Sequence, residues 1–257
     1  MKETTKYLSQ KCNTDPWFVD RLIISAFLNI NQIEIVTNRL LLEYCICEND
    51  EDFQNLVEFI EIIKSVKNNF YIEDLIELFE FVISPEDRVI NGAIYTPEYI
   101  REYIIEKSFD LLVEQDYQTI KISDIACGCG GFLFTTAKKI RERTANTYEY
   151  IYENNIYGLD LQQYSVDRTK LLLTILAITE GEDIEEFRFN IHQGDALIFQ
   201  WQNYIKNYEG FNCILGNPPK NLIISQNSFV NEINLENEKI EFKSKSVNNF
   251  YPVIKLR

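Results

Sequence analysis

DIACGCGGFLF, residues 124–134, sets an aspartate, two cysteines and three glycines between two apolar segments. The stretch that leads into it, TIKISDIAC (119–127), reads as a strand, and residues 131–144, which begin within it, carry helical spacing. Glycines at such a junction let the backbone approach a ligand, and the helix N-terminus behind them offers free N–H groups. A tight strand-to-helix turn accounts for the same residues, so the loop needs support from the rest of the chain.

Three later segments supply it. IYGLD (156–160) is a short apolar strand ending in Asp160, and FRFNIHQGD (187–195) ends in Asp195. FNCILGN (211–217) runs into Asn217, followed by Pro218, Pro219 and Lys220. Adjacent prolines cannot sit inside a helix or a central strand, so they end that strand. A long amphipathic helix is expected at residues 162–180. Strands alternating with helices imply a parallel sheet covered on both faces, with ligands bound beyond the carboxyl ends of its strands. Any one strand-end aspartate could be a helix cap, but an acidic or amide group at the tip of each successive strand makes a site. The expected fold class is α/β: a Rossmann-like, doubly wound, mainly parallel sheet.

Upstream the texture differs. All nine glycines lie at or after Gly92, so residues 1–91 have little need of left-handed turns, as suits an all-α region. Four helices are expected there, in DPWFVDRLIISAFLNI (15–30), IEIVTNRLLLEYCIC (33–47), FQNLVEFIEIIKSV (53–66) and IEDLIELFEFVI (72–83). Asp15 would be the first N-cap, with Pro16 in the first helical position. The expected division is therefore a helical domain, residues 1–91, and a second domain, residues 92–257. Thr96-Pro97-Glu98 would cap a helix reaching about Val113.

The net charge of −15 argues against a chain that holds nucleic acid unaided, because phosphate contacts require clustered Lys and Arg. Residues 1–91 carry a net −9 and residues 220–257 a net +2, so a polyanion would need a basic partner or patch. Six cysteines without a CxxC pair, and His192 as the single histidine, offer no structural zinc set. No apolar stretch reaches membrane-span length and the N-terminus lacks a signal-peptide core, so the expectation is a cytoplasmic protein without a membrane partner.

In order, GAIYTPEYI (92–100), DIACGCGGFL (124–133), the strand ends at Asp160 and Asp195, and LGNPP (215–219) resemble the S-adenosylmethionine-dependent methyltransferases that modify adenine N6 in DNA. The likeness is to the modification subunits of type I and related restriction systems, and covers residues 92–219. It implies S-adenosyl-L-methionine as cofactor. Tyr95 and Thr96 would line its methionine end, Asp124 would meet the methionine amino group, and Ala126, Gly128 and Gly130 would pass close by. Asp160 would take the ribose and Asp195 the adenine amino group. For Tyr95 core packing, and for Thr96 an N-cap, are equally compatible. In this family the Asn217 side-chain carbonyl and the Pro218 backbone carbonyl would accept hydrogen bonds from the target amine. Pro218 and Pro219 would hold those acceptors rigid, a preorganisation that lowers the barrier.

Lys220 departs from the family pattern, which has an aromatic residue there to stack on the flipped base. Phe229 is a candidate substitute. Only 38 residues follow Pro219, too few for the remaining strands and a recognition module, so the expectation is a C-terminally incomplete methyltransferase. DNA would then be reached through a missing recognition domain or a separate specificity subunit, and a protein partner could complete the fold. The alternatives are a protein-glutamine or RNA methyltransferase, which share the Asn-Pro-Pro motif, or an inactive or split cofactor-binding subunit.

Overall fold

Helical spacing of apolar residues governs the first third of the chain. The computed structural model describes residues 2–12, 16–82, 95–112, 116–217 and 255–256. It opens with α1 (Lys2–Cys12), α2 (Pro16–Ile30), α3 (Arg39–Tyr44), α4 (Phe53–Val66) and α5 (Ile72–Phe81). Pro16 takes the first helical position as expected, while Asp15 lies outside the described residues. In α2 the residues Val19, Leu22, Ile23, Ala26 and Phe27 are buried at i, i+3, i+4, i+7 and i+8, and this stripe meets α1, α4 and α5.

Two elements differ from the sequence reading. The polar helix α1 was not expected. It is anchored by Leu8, which is fully buried, and by Tyr7, whose ring stacks 5.7 Å from that of Phe59. The helix expected over residues 33–47 is confined to α3. The Asp183 carboxylate accepts hydrogen bonds from the N–H groups of Val36, Thr37 and Asn38 at 2.7, 3.1 and 2.9 Å, holding these amides out of a helical pattern. Asn38 then caps α3, its Oδ1 accepting from the Leu41 N–H at 3.0 Å.

After α6 (Glu98–Leu111) come β1 (Ile122–Asp124), α7 (Gly131–Arg143), α8 (Tyr148–Asn154), β2 (Ile156–Asp160), α9 (Gln163–Thr179), β3 (Asn190–Gln193), β4 (Cys213–Ile214) and β5 (Lys255–Leu256). The sheet order is β3-β2-β1-β4-β5. The first four strands are parallel, with Ile122 opposite Ile156 on one side and Cys213 on the other, and β5 pairs antiparallel with β4. This is the α/β, mainly parallel, Rossmann-like fold expected. Val113 lies outside the described residues, as does the start of the GAIYTPEYI segment. The Thr96 reading needs correction. Pro97, not Thr96, is the N-cap of α6, and no side chain caps that helix.

The two faces of the sheet are covered differently. Alternation along β2 sends Ile156 and Gly158 to one side and Tyr157 and Leu159 to the other. On the first side α7, α8 and α9 pack against the strands, in a core that continues into α1–α5. On the second, the cover among the described residues is an aromatic cluster of Tyr157, Trp201 and Phe211 with Leu159 and Ile205, with one 3-10 turn at Trp201–Asn203 and no α-helix. The central strands are short, with 3 residues in β1 and 2 in β4. Among the described residues no helix is long and apolar enough to cross a membrane.

Candidate cofactor site

Strand order reverses between β1 and β4, and a crevice at such a switch point is where open α/β sheets bind ligands. Asp124 ends β1 there, with its residue only 2% exposed. Opposite it, just past β4, Gly216 has φ of 151°, and a Cβ built on it would lie 2.4 Å from Asp124 Oδ1. Only glycine combines that backbone angle with so close an approach. The next residue, Asn217, donates from Nδ2 to Thr96 Oγ1 at 3.3 Å, bringing the segment before α6 to the same place. Asp160 joins from the tip of β2, its Oδ2 accepting from the Gly128 N–H at 2.9 Å and its Oδ1 from the Gln162 N–H at 2.9 Å.

In the glycine loop the amides of residues 126–130 are all taken up within the protein. Asp124 Oδ1 accepts from Ala126 N–H at 3.1 Å and the Leu159 carbonyl from Cys127 N–H at 2.9 Å. Asp160 takes the Gly128 N–H, Glu80 Oε1 the Cys129 N–H at 3.1 Å, and the Cys127 carbonyl the Gly130 N–H at 2.9 Å. Three of these five acceptors are carboxylates, so a phosphate would meet like charge here rather than open donors. Gly130 packs on α9, where an added Cβ would sit 2.8 Å from Thr169 Cγ2.

Burial governs the acid groups. It pushes the Asp124 carboxyl up to about 8, against the pull of the Ala126 N–H and with help from Asp160 and Glu80. Burial also raises Glu80, countered by the Cys129 N–H and Arg168 and reinforced by Asp160. Asp160 is raised by burial in spite of the hydrogen bonds it accepts. Burial likewise pushes the Cys127 and Cys129 thiols well up, which leaves them unreactive packing groups.

Two buried arginines fix the surroundings. Arg101, 1% exposed, donates to the Thr96 carbonyl at 2.6 Å, to Glu73 Oε1 at 2.5 Å and to Thr135 Oγ1 at 3.3 Å. Glu73 also accepts from the Tyr95 hydroxyl at 3.3 Å, so Tyr95 is engaged by α5. Arg168, 2% exposed, pairs with Asp20 at 2.8 Å and donates to the carbonyls of Phe79 at 2.8 Å and Val82 at 3.2 Å. It therefore ties α9 to α2 and to the end of α5 that carries Glu80.

The crevice brings together Asp124, Ala126, Gly128, Asp160, Thr96 and Asn217, with Tyr95 next to Thr96. Asp195 lies beside them: Gly194 N–H bonds to the Asp160 carbonyl, but the Asp195 carboxylate is exposed and accepts from Leu197 N–H at 2.9 Å. Pro218, Pro219, Lys220 and Phe229 lie outside the described residues. Sequence reasoning missed Glu73, Glu80, Arg101 and Arg168. Glu73, Glu80 and Arg101 sit in helices with one exposed face, where a charge reads as solvated, whereas α9, expected to be amphipathic, is buried on all sides from Leu171 to Ile178 and takes Arg168 with it. Glu80 and Arg168 are distinguished only by contacts made across 49 and 148 residues.

A mainly parallel sheet with acidic groups at the tips beside its order reversal is a Rossmann-like fold with its candidate site at the switch point. A profile of the N-6 DNA methylase family matches residues 72–252, and the chain belongs to that family. Among solved structures it is similar to the type IIL restriction-modification enzyme MmeI in complex with DNA, at 14% identity and a TM-score of 0.49, over 84% of this chain and 43% of that one. It is also similar to the DrdV–DNA complex, at 16% identity and a TM-score of 0.45, over 72% of this chain and 20% of that one. A third likeness, at 18% identity and a TM-score of 0.40, is to a protein described as a modification subunit of a type I restriction enzyme from Vibrio vulnificus, over 75% of this chain and 39% of that one. The chain thus spans less than half the length of each of these structures. No curated protein matches the sequence.

Proposed function

We propose that this chain is the N-terminal and cofactor-binding part of an adenine-N6 DNA methyltransferase of the restriction-modification type. What supports the reading is the meeting of Asp124, Gly216 and Asn217 at the reversal of strand order, in a chain whose family match runs from residue 72 to 252. The cofactor is S-adenosyl-L-methionine. It carries an ammonium, a sulfonium and ribose hydroxyls but no phosphate, which suits a loop whose amides are already held by carboxylates. When bound, it supplies an electrophilic methyl group.

The chain's own residues then divide the work. Asp124 holds the ammonium end, with Tyr95 and Thr96 beside it, and Ala126, Gly128 and Gly130 form the wall of the loop. Asp160 takes the ribose hydroxyls, and Asp195, exposed one residue past Gly194, takes the adenine amine. Thr96 occupies the Asn217 Nδ2 donor, which fixes the amide plane and leaves Oδ1 as the acceptor for the target amine. Pro218 supplies the second acceptor and Pro219 the rigidity. Residues 1–91 act as a helical domain packed on a methyltransferase domain of residues 92–257. DNA is reached through a recognition domain or a specificity subunit, and the protein works in the cytoplasm.

Tritium transfer from the methyl donor tests this. The label is expected in duplex DNA when the chain is supplied with its recognition module; label in protein glutamine or in RNA would replace the reading with one of the alternative methyltransferases. Absence of transfer together with retained calorimetric binding of S-adenosylhomocysteine would leave a cofactor-binding subunit without chemistry.

A further inference from the structure

Glu80 reaches the glycine loop from the helical part of the chain. Its Oε1 accepts from Cys129 N–H at 3.1 Å and lies 3.1 Å from where a Gly128 Cβ would be. Asp160 holds the preceding amide, that of Gly128, so two carboxylates sit on consecutive N–H groups, with Asp124 at the neighbouring strand tip. The charged and titratable groups that act on Glu80 or feel it are these two aspartates, the Cys129 thiol of the loop and Arg168 of α9. Arg168 offsets only part of this charge. Its guanidinium is bound to Asp20 through Nε at 3.0 Å and through Nη2 at 2.8 Å, and it also donates to the carbonyls of Phe79 and Val82 and to Cys129.

The loop thus gathers three carboxylates, Glu80, Asp160 and Asp124, whose charge either protons or a cationic ligand can balance. Taking the cofactor assignment above as given, we propose that Glu80 is a specificity-determining residue that makes this pocket favour the positively charged methyl donor over its neutral demethylated product. The donor bears one net positive charge, with sulfonium and ammonium against one carboxylate; loss of the methyl group removes the sulfonium charge and leaves a zwitterion. A carboxylate beside the loop stabilises the first and not the second. Product is thereby expelled in favour of fresh donor without any change of shape. The raised Glu80 and Asp124 carboxyls agree with this, since a cation entering the hollow brings back the ionised forms that burial disfavours.

Glu80→Gln keeps an oxygen acceptor for Cys129 N–H and removes the charge. Isothermal titration of the purified chain with S-adenosylmethionine, with its amine analogue sinefungin and with S-adenosylhomocysteine, repeated between about pH 7 and 9, separates the outcomes. The expected result is a loss of about tenfold in affinity for the two cations and less than about twofold for the neutral product, the size of one screened charge at a few ångströms' remove. Equal losses for all three ligands would mean that Glu80 only supports the loop, and unchanged affinities would mean that its charge is not felt; either overturns the proposal. Failure of the wild-type chain to bind any of the three would instead overturn the cofactor assignment itself. Should Glu80→Gln lose its folded circular dichroism, the wild-type chain titrated from about pH 7 to 9 is expected to gain affinity for the two cations and not for the neutral product, and parallel profiles for all three ligands would overturn the proposal.

Discussion

The helices of residues 2–82 and the strand tips around Asp124 are stabilised by opposite means. The helices are conventional: a stripe such as Val19, Leu22, Ile23, Ala26 and Phe27 leaves water, and each large apolar side chain contributes about 1.5–3 kcal/mol on burial. The tips bury carboxylates, an arrangement that costs stability unless hydrogen bonds offset it. The two regions are joined largely by charged and polar contacts: Arg168 with Asp20, Glu80 with the Cys129 amide, and Asp183 with the amides of residues 36–38. The helical part is thus more than a support. It supplies one of the three carboxylates on the loop and positions Tyr95 and Thr96 through Glu73 and Arg101.

The widest separation between the two regions should come from cutting the buried pair. Arg168→Met leaves Asp20 buried and uncompensated, and a loss of about 3–5 kcal/mol is expected in urea denaturation. Adding Asp20→Leu should recover much of it, because two apolar groups of similar size need no partner. If the single variant were as stable as wild type, the helices and the α/β part would not be coupled through this contact.

Next in size is a change confined to the strand tips. Asn217→Ala is expected to lower methyl transfer roughly 10²–10³-fold in the complete enzyme, as for loss of one preorganised hydrogen-bonding group, while leaving the urea midpoint nearly unmoved. A parallel loss of stability would show that Asn217 serves packing instead.

Asp124→Asn sharpens the contrast through pH. The folded Asp124 carboxyl is raised to about 8 from an ordinary 3.8, so the folded state holds a proton that the unfolded chain has released. Its contribution to stability is fully present below about pH 4 and is lost as pH rises towards 8. Asparagine keeps the Oδ1 acceptor for Ala126 N–H and has no proton to lose. The variant should therefore gain in thermal midpoint relative to wild type across that interval, and a constant difference would show that Asp124 titrates normally. The smallest effect is a local one: Thr147 caps α8, its Oγ1 accepting from Tyr150 N–H at 3.2 Å, and Thr147→Ala should cost about 1 kcal/mol without touching cofactor binding.

How much of this was legible beforehand follows from the range of the interactions involved. Helices α2, α4 and α5 were readable because their apolar residues recur every three or four positions. Helix α8 carried the same signal in Thr147, Tyr148, Ile151 and Tyr152, but its 7 residues are few for periodicity to stand out. The extended stretch before α3 had no local sign, since the carboxylate that holds it lies 147 residues on from Val36. Glycine loop and strand-end residues could be marked in order along the chain; that the loop's amides would already be occupied could not.

By itself, then, the amino-acid sequence determined helices α2, α4 and α5, the alternation that makes a mainly parallel sheet, and which acidic and amide groups follow its strands, because periodicity and strand termination are local properties. Only the tertiary structure decided that Glu80 enters the glycine loop, that Gly216 presses on Asp124, and that Arg101 and Arg168 are buried. Those outcomes rest on desolvation and on hydrogen bonds between distant segments, and a charged residue's neighbours in sequence do not reveal whether it will be taken out of water.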